Sequence, residues 1–181
     1  MKIKKNIFFF VIAISLFAGS SFRPAEGGDD EQEYILKAAF LYRFTDYIDW
    51  GSSNPTNDFT IAILGKSGIT PPLIEIAKAK KAQGKRIVIK EYDAVDDISS
   101  CQIVFVSANY KPGIETVISK LANKPALIIT EEPDACAKGA HINFLISDNK
   151  LKFEININAT ETAGLKISSQ LLEHAILVNT P

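Results

Sequence analysis

The sequence has few of the residues that build catalytic and metal sites. Its 181 residues include two histidines and two cysteines. His141 and His174 do not form an H-x-x-H pair, the cysteines do not form a C-x-x-C pair, and no serine lies in a G-x-S-x-G motif. Zinc sites, redox dithiols and serine hydrolases are recognised by such spacings. The sequence therefore predicts a non-enzymatic protein with no catalytic residue, no metal site and no cofactor.

The sequence also lacks an excess of basic residues. Lysine and arginine together number 20, against 21 aspartates and glutamates, and the net charge is −1. Removal of residues 1–20 would take away three lysines and no acid, which lowers the net charge to −4. A surface that binds nucleic acid needs a basic stripe. The one basic concentration, at residues 78–86, is typical of a solvated helix end, so we expect no nucleic-acid partner.

Only one apolar run is long, and it lies at the start of the chain. Three lysines within the first five residues precede an apolar run at residues 7–18, and small residues follow. This order is typical of a secretory signal peptide that is cleaved near Ser21. We therefore predict a signal peptide at 1–20, a flexible leader at 21–32 and one domain at 33–178. The mature protein is expected to be exported.

A phosphate-binding motif is present only in part. Gly65-Lys66-Ser67 matches the end of a P-loop, but the first glycine of that motif would fall at Thr60. Both ends of the motif are needed for the backbone to surround a phosphate. The segment therefore predicts an ordinary turn between a strand and a helix.

From residue 59 onward, short apolar runs alternate with helical patterns. The predicted strands are 59–65, 86–92, 101–107 and 126–130, and the predicted helices are 71–82 and 113–122. Buried strands separated by helices indicate a parallel sheet that is covered on both faces. Strands at 141–147 and 151–157 are too close for a crossover and predict a hairpin. The expected fold is a single Rossmann-like α/β domain, with a mostly parallel sheet, a C-terminal antiparallel hairpin and helices on both faces.

A helical pattern ends the chain. Asn158 and Glu161 have the spacing of an N-cap and its capping partner. Apolar residues follow at helical intervals from Ala163 to Ala175. The sequence therefore predicts a final helix that begins at Asn158 and packs on the sheet.

Cys101 and Cys136 would face an oxidising compartment after export. A bridge between them would close a loop of about 35 residues and stabilise the chain by roughly 4 kcal/mol on the chain-entropy model. Parallel strands would instead place the two residues on the order of 15–20 Å apart, which is beyond bridging distance. The sequence leaves three states open, in which these cysteines are bridged, free or joined between molecules.

The helix predicted at 33–48 has an unusually wide apolar face. Leu36, Phe40, Phe44 and Tyr47 form one stripe, and further apolar residues lie beside it. A face of this width is typical of a helix buried between two layers, or of a helix partly exposed for a partner. Periodicity alone leaves both interpretations open.

Longer segments of the sequence carry a family resemblance. They are KAAFLYRF (37–44), YIDW (47–50), IVFVS (103–107), FEIN (153–156) and AGLKISSQLL (163–172). In this order, over residues 33–176, they resemble the YfiR-like family of exported proteins. These segments are signatures of a fold and contain no catalytic residues.

The resemblance implies a periplasmic regulator with a compact α/β fold, typically a homodimer. Such a regulator represses an inner-membrane diguanylate cyclase by binding its periplasmic part, and so controls cyclic di-GMP and biofilm formation. A membrane histidine kinase is also open as the partner. Relatives carry two cysteine pairs, and this chain keeps one member of each. Cys101 and Cys136 are therefore redox candidates that lack the partners they have in relatives.

The partner-binding residues that we predict all lie on the first helix. They are Leu36, Phe40, Tyr42, Arg43, Phe44 and Tyr47. The alternative function is that of a periplasmic small-molecule sensor that serves a membrane histidine kinase. Rossmann-like sheets bind ligands beyond the carboxyl ends of their strands. Here that edge would be formed by loops 65–70, 107–113 and 130–139.

Overall fold

The computed structural model describes residues 28–51, 57–122 and 124–179. The predicted signal peptide and most of the predicted leader lie outside the described residues. The helices are α1 (Gly28–Tyr47), α2 (Thr70–Ala79), α3 (Ile114–Leu121), α4 (Ile157–Thr162) and α5 (Ser169–Leu172). The strands are β1 (Ile48–Asp49), β2 (Asp58–Leu64), β3 (Lys81–Ala82), β4 (Lys85–Tyr92), β5 (Ile103–Val106), β6 (Leu127–Thr130), β7 (Ile142–Ser147), β8 (Lys150–Asn156), β9 (Lys166–Ile167) and β10 (Ile176–Val178).

Eight strands form one sheet in the order β10-β8-β7-β6-β5-β2-β4-β3. The neighbours from β4 through β2, β5 and β6 to β7 are parallel, whereas β7 and β8 are antiparallel. The predicted α/β fold, with its mostly parallel sheet and its C-terminal hairpin, is confirmed. Asp148 and Asn149 form the hairpin turn at φ of 54° and 56°. Two successive left-handed residues are what a tight hairpin requires, and Asp and Asn tolerate that conformation well.

The sheet carries a separate core on each face. Along β2, Ile61 and Ile63 belong to the core under α1 and α2, whereas Ala62 and Leu64 belong to the core under α3. This alternation follows from the strand, because successive side chains point to opposite faces. The result is the predicted sheet with helices on both faces.

The prediction of a continuous final helix is wrong. Helix α4 ends at Thr162, and Gly164, two residues later, adopts a φ of +74°. Leu165 then donates from its backbone N–H to the Thr160 carbonyl and is buried. This arrangement is a Schellman stop, in which a left-handed glycine ends the helix. The chain continues as β9, which pairs with β1, and as β10, which extends the sheet beside β8.

The N-cap of α4 is also different from the predicted one. The Asn156 side chain accepts a hydrogen bond from the Ala159 N–H at 2.9 Å, and its amide donates to the Cys136 carbonyl at 2.8 Å. Asn158 lies inside the helix and is exposed. The helix begins two residues early because Asn156 is buried at the end of β8, where it can serve both elements.

We expect Asn156→Ala to lower the free energy of unfolding by about 1–2 kcal/mol, because it removes the cap and the donor to the Cys136 carbonyl. The matched control is Asn158→Ala, on the exposed side of the same helix, for which we expect a loss below about 0.5 kcal/mol. Urea denaturation followed by circular dichroism measures both values. Equal losses in the two variants would contradict the assignment of Asn156 as the cap.

Candidate functional site: the α1 surface and the adjoining cavity

Helix α1 is fixed to the sheet by one face. Ala38, Leu41 and Phe44 have no exposed surface. The Phe44 ring lies 5.9 Å from the Phe144 ring and 5.2 Å from the Phe153 ring, measured between centroids. These two partners come from β7 and β8, so the hairpin and the helix share one aromatic cluster.

The structure separates the six predicted partner-binding residues into three groups. Leu36 is 51% exposed and Arg43 is also exposed. Phe40, Tyr42 and Tyr47 are half-buried at the borders of the exposed face. Phe44, which we predicted as a partner-binding residue, is fully buried in the core. At helical spacing, residues 36, 40, 43 and 47 share one face, whereas position 44 turns toward the core.

We call Leu36, Phe40, Arg43 and Tyr47 the α1 stripe. Within it, the Arg43 guanidinium donates to the Tyr47 hydroxyl at 2.7 Å and lies 5.2 Å from the centre of the Tyr47 ring. Arg43 also lies 3.9 Å from the Asp46 carboxylate. The Phe40 ring packs against the Phe153 ring, with 5.7 Å between their centroids. The stripe therefore combines an exposed aliphatic side chain, an oriented cation and two aromatic rings on a rigid support.

The other side of α1 carries a buried ion cluster that sequence reasoning missed. The Lys37 ammonium lies 2.5 Å from the carboxylates of both Glu33 and Glu131. The side chain of Lys37 is 6% exposed and that of Glu131 is 8% exposed. Burial lowers the pKa of Lys37, but the hydrogen bonds to Glu131 and Glu33 outweigh burial and raise it overall. A lysine within an apolar helical face, four residues after a glutamate, was the available signal.

This ion cluster and its neighbours cover the carboxyl ends of the parallel strands, where a ligand crevice was expected. The Tyr34 hydroxyl lies 3.4 Å from the Glu131 carboxylate, and the Ala108 N–H lies 3.5 Å from it. A Cβ at Gly68 would lie 2.4 Å from the Tyr34 ring, so only glycine fits there. Helix α1 thus contacts the loops after β2 and β6, and Glu131 links it to the loop after β5. The glycine-rich turn at 65–68 supports Tyr34.

A cavity of about 380 Å³ lies beside these covered strand ends. Its walls come from the start of α1, the loop after β6 and the middle of β7. It is lined by Glu33, Lys37, Glu131, Pro133, Asp134, Asn143, Phe144, Leu145, Ile146 and Glu154. Of the three loops predicted to form a ligand site, only the one after β6 contributes to this cavity.

Cys101 and Cys136 are both free thiols. Burial raises the pKa of each thiol to about 12. The Cys136 sulfur lies 3.9 Å from the His141 carbonyl oxygen. His141 is at the end of the loop that joins β6 to β7. Of the three states that the sequence left open for the cysteines, the structure describes the free one. The role of Cys101 and Cys136 as redox candidates stays a prediction.

We expect both thiols to resist alkylation in the native protein, because the thiolate is the reactive species and burial disfavours it. At pH 8 the reaction with iodoacetamide should be more than about a hundredfold slower than in the urea-unfolded chain. Mass spectrometry of the modified peptides follows each cysteine separately. A thiol that reacts equally fast in both states would contradict this assignment.

The histidines lie in different environments. His141 is buried, and its Nδ1 accepts a hydrogen bond from the Ile128 N–H at 3.0 Å. Burial lowers the pKa of His141 to about 4, so this ring is neutral at pH 7. His174 is exposed after α5. Within ranges 28–51, 57–122 and 124–179, no group of three or more potential ligands could hold a metal ion. The same ranges contain no helix with the length and apolar character of a membrane span.

The structure defines a single α/β domain with a mostly parallel sheet. A family model described as YfiR/HmsC-like matches residues 34–176, and the chain belongs to that family. The family is regulatory and non-catalytic, and its members are periplasmic regulators that act on a membrane signalling partner. A search of curated proteins finds no match.

A solved structure shares the fold. It is a conserved domain protein from Vibrio cholerae O1 biovar El Tor strain N16961, with a TM-score of 0.54 and 12% sequence identity. The similarity covers 81% of this chain and 60% of the Vibrio protein. The chain therefore spans about three fifths of the length of that protein, and the likeness concerns the fold alone.

Proposed function

We propose that this protein is a non-enzymatic periplasmic regulator that binds and represses the periplasmic part of an inner-membrane signalling protein. The first candidate for that partner is a diguanylate cyclase, so that release of the repression raises cyclic di-GMP and favours biofilm. Export through a signal peptide at 1–20, a folded domain at 33–178 and a homodimer belong to this proposal. Family membership supports its regulatory part.

The observation that carries the proposal is the α1 stripe. Leu36 is 51% exposed and its neighbour Ile35 is 50% exposed, on a helix whose opposite face is completely buried. Arginine and aromatic residues dominate the binding energy of protein interfaces, and Arg43 and Tyr47 are already oriented by their mutual contact. A prearranged surface loses little conformational entropy on binding. The stripe is therefore suited to a protein partner.

We expect Leu36→Glu to weaken partner binding by at least about tenfold, because it places a charge within the apolar part of the interface. Arg43→Glu should have a similar effect, because it reverses the charge of the only cation in the stripe. The measurement is capture of the solubilised membrane partner by each variant from the protein's own cells, with mass spectrometry of the recovered proteins.

Ile74→Glu is the matched control, because Ile74 is 40% exposed on α2 and lies outside the α1 stripe. It should bind like the unmodified protein, and circular dichroism should show all three variants folded. Full partner binding by both stripe variants would show that the α1 stripe is not the partner-binding surface.

The repressor role has its own test in cells. Deletion of the gene should raise cyclic di-GMP and biofilm formation, and the unmodified protein should restore both, whereas Leu36→Glu should not. Unchanged cyclic di-GMP after deletion, together with recovery of a histidine kinase in the capture experiment, would move the proposal to the kinase partner.

A further inference from the structure

Basic residues are concentrated at one edge of the sheet, where α2 ends and where β3 and β4 are the last two strands. All of them lie within residues 78–90, and this stretch contains no aspartate or glutamate. We call this surface the basic edge. Its six basic residues are Lys78, Lys80, Lys81, Lys85, Arg86 and Lys90.

Acidic residues compensate only half of the charge of the basic edge. Lys78 pairs with Glu75 on α2 at 2.6 Å. Arg86 pairs with Asp58 at the start of β2 at 2.8 Å. The third carboxylate is that of Glu91 on β4, which accepts a hydrogen bond from a hydroxyl at the start of α2. Six basic residues and three carboxylates leave a net charge of +3 at this edge, whereas the predicted mature chain has a net charge of −4.

Three lysines of the basic edge are exposed and have no ion pair among the described residues. For Lys80, Lys81 and Lys90, no carboxylate of that part of the chain lies within 4 Å of the ammonium group. Lys81 also lies directly opposite Arg86 in the antiparallel pairing of β3 with β4. Like charges at opposed positions destabilise a sheet. An anionic group beside this edge would therefore relieve a repulsion that the protein does not relieve by itself.

A flat anionic surface fits the basic edge better than a long nucleic acid. Arg86 and Lys90 lie on the same face of β4, roughly 13 Å apart along the strand. The basic edge is therefore short, and a polyanion that continued past it would meet the net negative charge of the rest of the chain. Anionic phospholipids present their phosphates in a plane, which one edge of a protein can touch alone. Each lysine or arginine near such a surface strengthens binding by about fivefold.

We propose that the basic edge docks on the surface of a membrane that contains anionic phospholipids. The ammonium groups of Lys80, Lys81 and Lys90 contact the lipid phosphates there, and Arg86 stays paired with Asp58. This inference goes beyond the proposed repressor function and does not depend on it, because the ligand is a lipid surface. Docking would concentrate the protein beside a membrane-bound partner, which strengthens a weak interaction without any new contact.

The test is co-sedimentation of the purified protein, as its cells process it, with lipid vesicles. One set consists of phosphatidylcholine alone, and the other of phosphatidylcholine and phosphatidylglycerol in equal parts. At about 0.1 M salt we expect at least about tenfold tighter binding to the vesicles that contain phosphatidylglycerol. Salt at about 1 M should release the protein, because screening then acts within about 3 Å.

The triple variant Lys80→Glu/Lys81→Glu/Lys90→Glu should bind the anionic vesicles at least about tenfold more weakly than the unmodified protein. Circular dichroism should show it folded, because all three side chains are exposed. If it fails to fold, Lys80→Gln/Lys81→Gln/Lys90→Gln replaces it, with the same expected direction.

The matched control is Lys111→Glu/Lys150→Glu/Lys166→Glu, which reverses three exposed lysines outside the basic edge and changes the net charge equally. We expect it to lose less than about threefold in binding, because distant charges are screened. Equal losses in the two triple variants would overturn the proposal. Absence of binding to the anionic vesicles would also overturn it and would leave the lysines with the protection of a sheet edge as their role.

A short single-stranded DNA is the competing ligand in the same assay. If it bound as tightly as the anionic vesicles at about 0.1 M salt, a membrane would be the wrong partner for the basic edge. The experiment contains no protein partner. Its failure is therefore distinguishable from a failure of the proposed repressor function, which the capture experiment tests.

Discussion

Replacement of Phe44 by alanine is expected to lower the free energy of unfolding by about 3–5 kcal/mol. Phe44 has no exposed surface, and its ring packs against those of Phe40, Phe144 and Phe153. The substitution removes the apolar contacts and leaves a cavity between α1 and the hairpin, which cannot collapse without moving either element. The total free energy of unfolding of a typical domain is only about 5–15 kcal/mol, so the variant should be close to unfolding.

Leu36→Ala provides the comparison on the same helix. Leu36 is half exposed, and we expect its truncation to cost less than about 0.5 kcal/mol. Chemical denaturation at neutral pH measures both variants. A loss below about 1 kcal/mol for Phe44→Ala would mean that the aromatic cluster does not anchor α1, and the rigid support assumed for the α1 stripe would be lost with it.

Replacement of Lys37 by methionine is expected to cost about 3 kcal/mol or more, although methionine fills most of the same space. The loss arises because the carboxylate of Glu131, whose side chain is 8% exposed, then lacks the ammonium with which it is paired. Breaking one side of a buried ion pair is costly, whereas removing both partners is often nearly neutral. The double variant Lys37→Met/Glu131→Leu should therefore be more stable than Lys37→Met alone.

The same ion cluster predicts a dependence on alkaline pH. The folded pKa of Lys37 is raised above its ordinary value of 10.5, so its stabilising contribution is complete below that pH. The contribution disappears as pH rises through the folded pKa, because the ammonium is then deprotonated. The difference in unfolding free energy between the unmodified protein and Lys37→Met should shrink above about pH 10.5. A constant difference up to pH 12 would contradict the ion cluster as its source.

The sheet could be predicted from the sequence, because its signals are local. Continuous apolar runs such as the one at 103–107 mark buried parallel strands, and the short link at 148–149 permits only a hairpin. The C-terminal region could not be predicted in the same way. There the helical spacing from Ala163 to Ala175 competes with the stop at Gly164 and with strand pairing to β1 and β8. Those pairings depend on residues far along the chain, which a local pattern does not contain.

The helix that carries the candidate site could be predicted from the sequence, but the direction in which each of its residues faces could not. The periodicity of α1 placed Leu36 and Phe44 on one broad face, and only the packed structure shows that one is exposed and the other is buried. The role of Lys37 could not be predicted, because a lysine in a helix is usually solvated and its partner Glu131 is 94 positions away.

The contacts of α1 also determine the order in which this chain can fold. The helix is synthesised before the sheet that supports it. Lys37 can therefore pair with Glu131, and Phe44 can pack on Phe153, only after those later residues have been made, and the strand after the helix pairs with residues 166–167. Contacts of such long sequence separation form late and slow folding. Until most of the chain is present, α1 is an apolar segment without a place to pack. A chaperone that shields it during this interval would protect the newly made chain from aggregation, and chains truncated before β8 would keep that liability permanently.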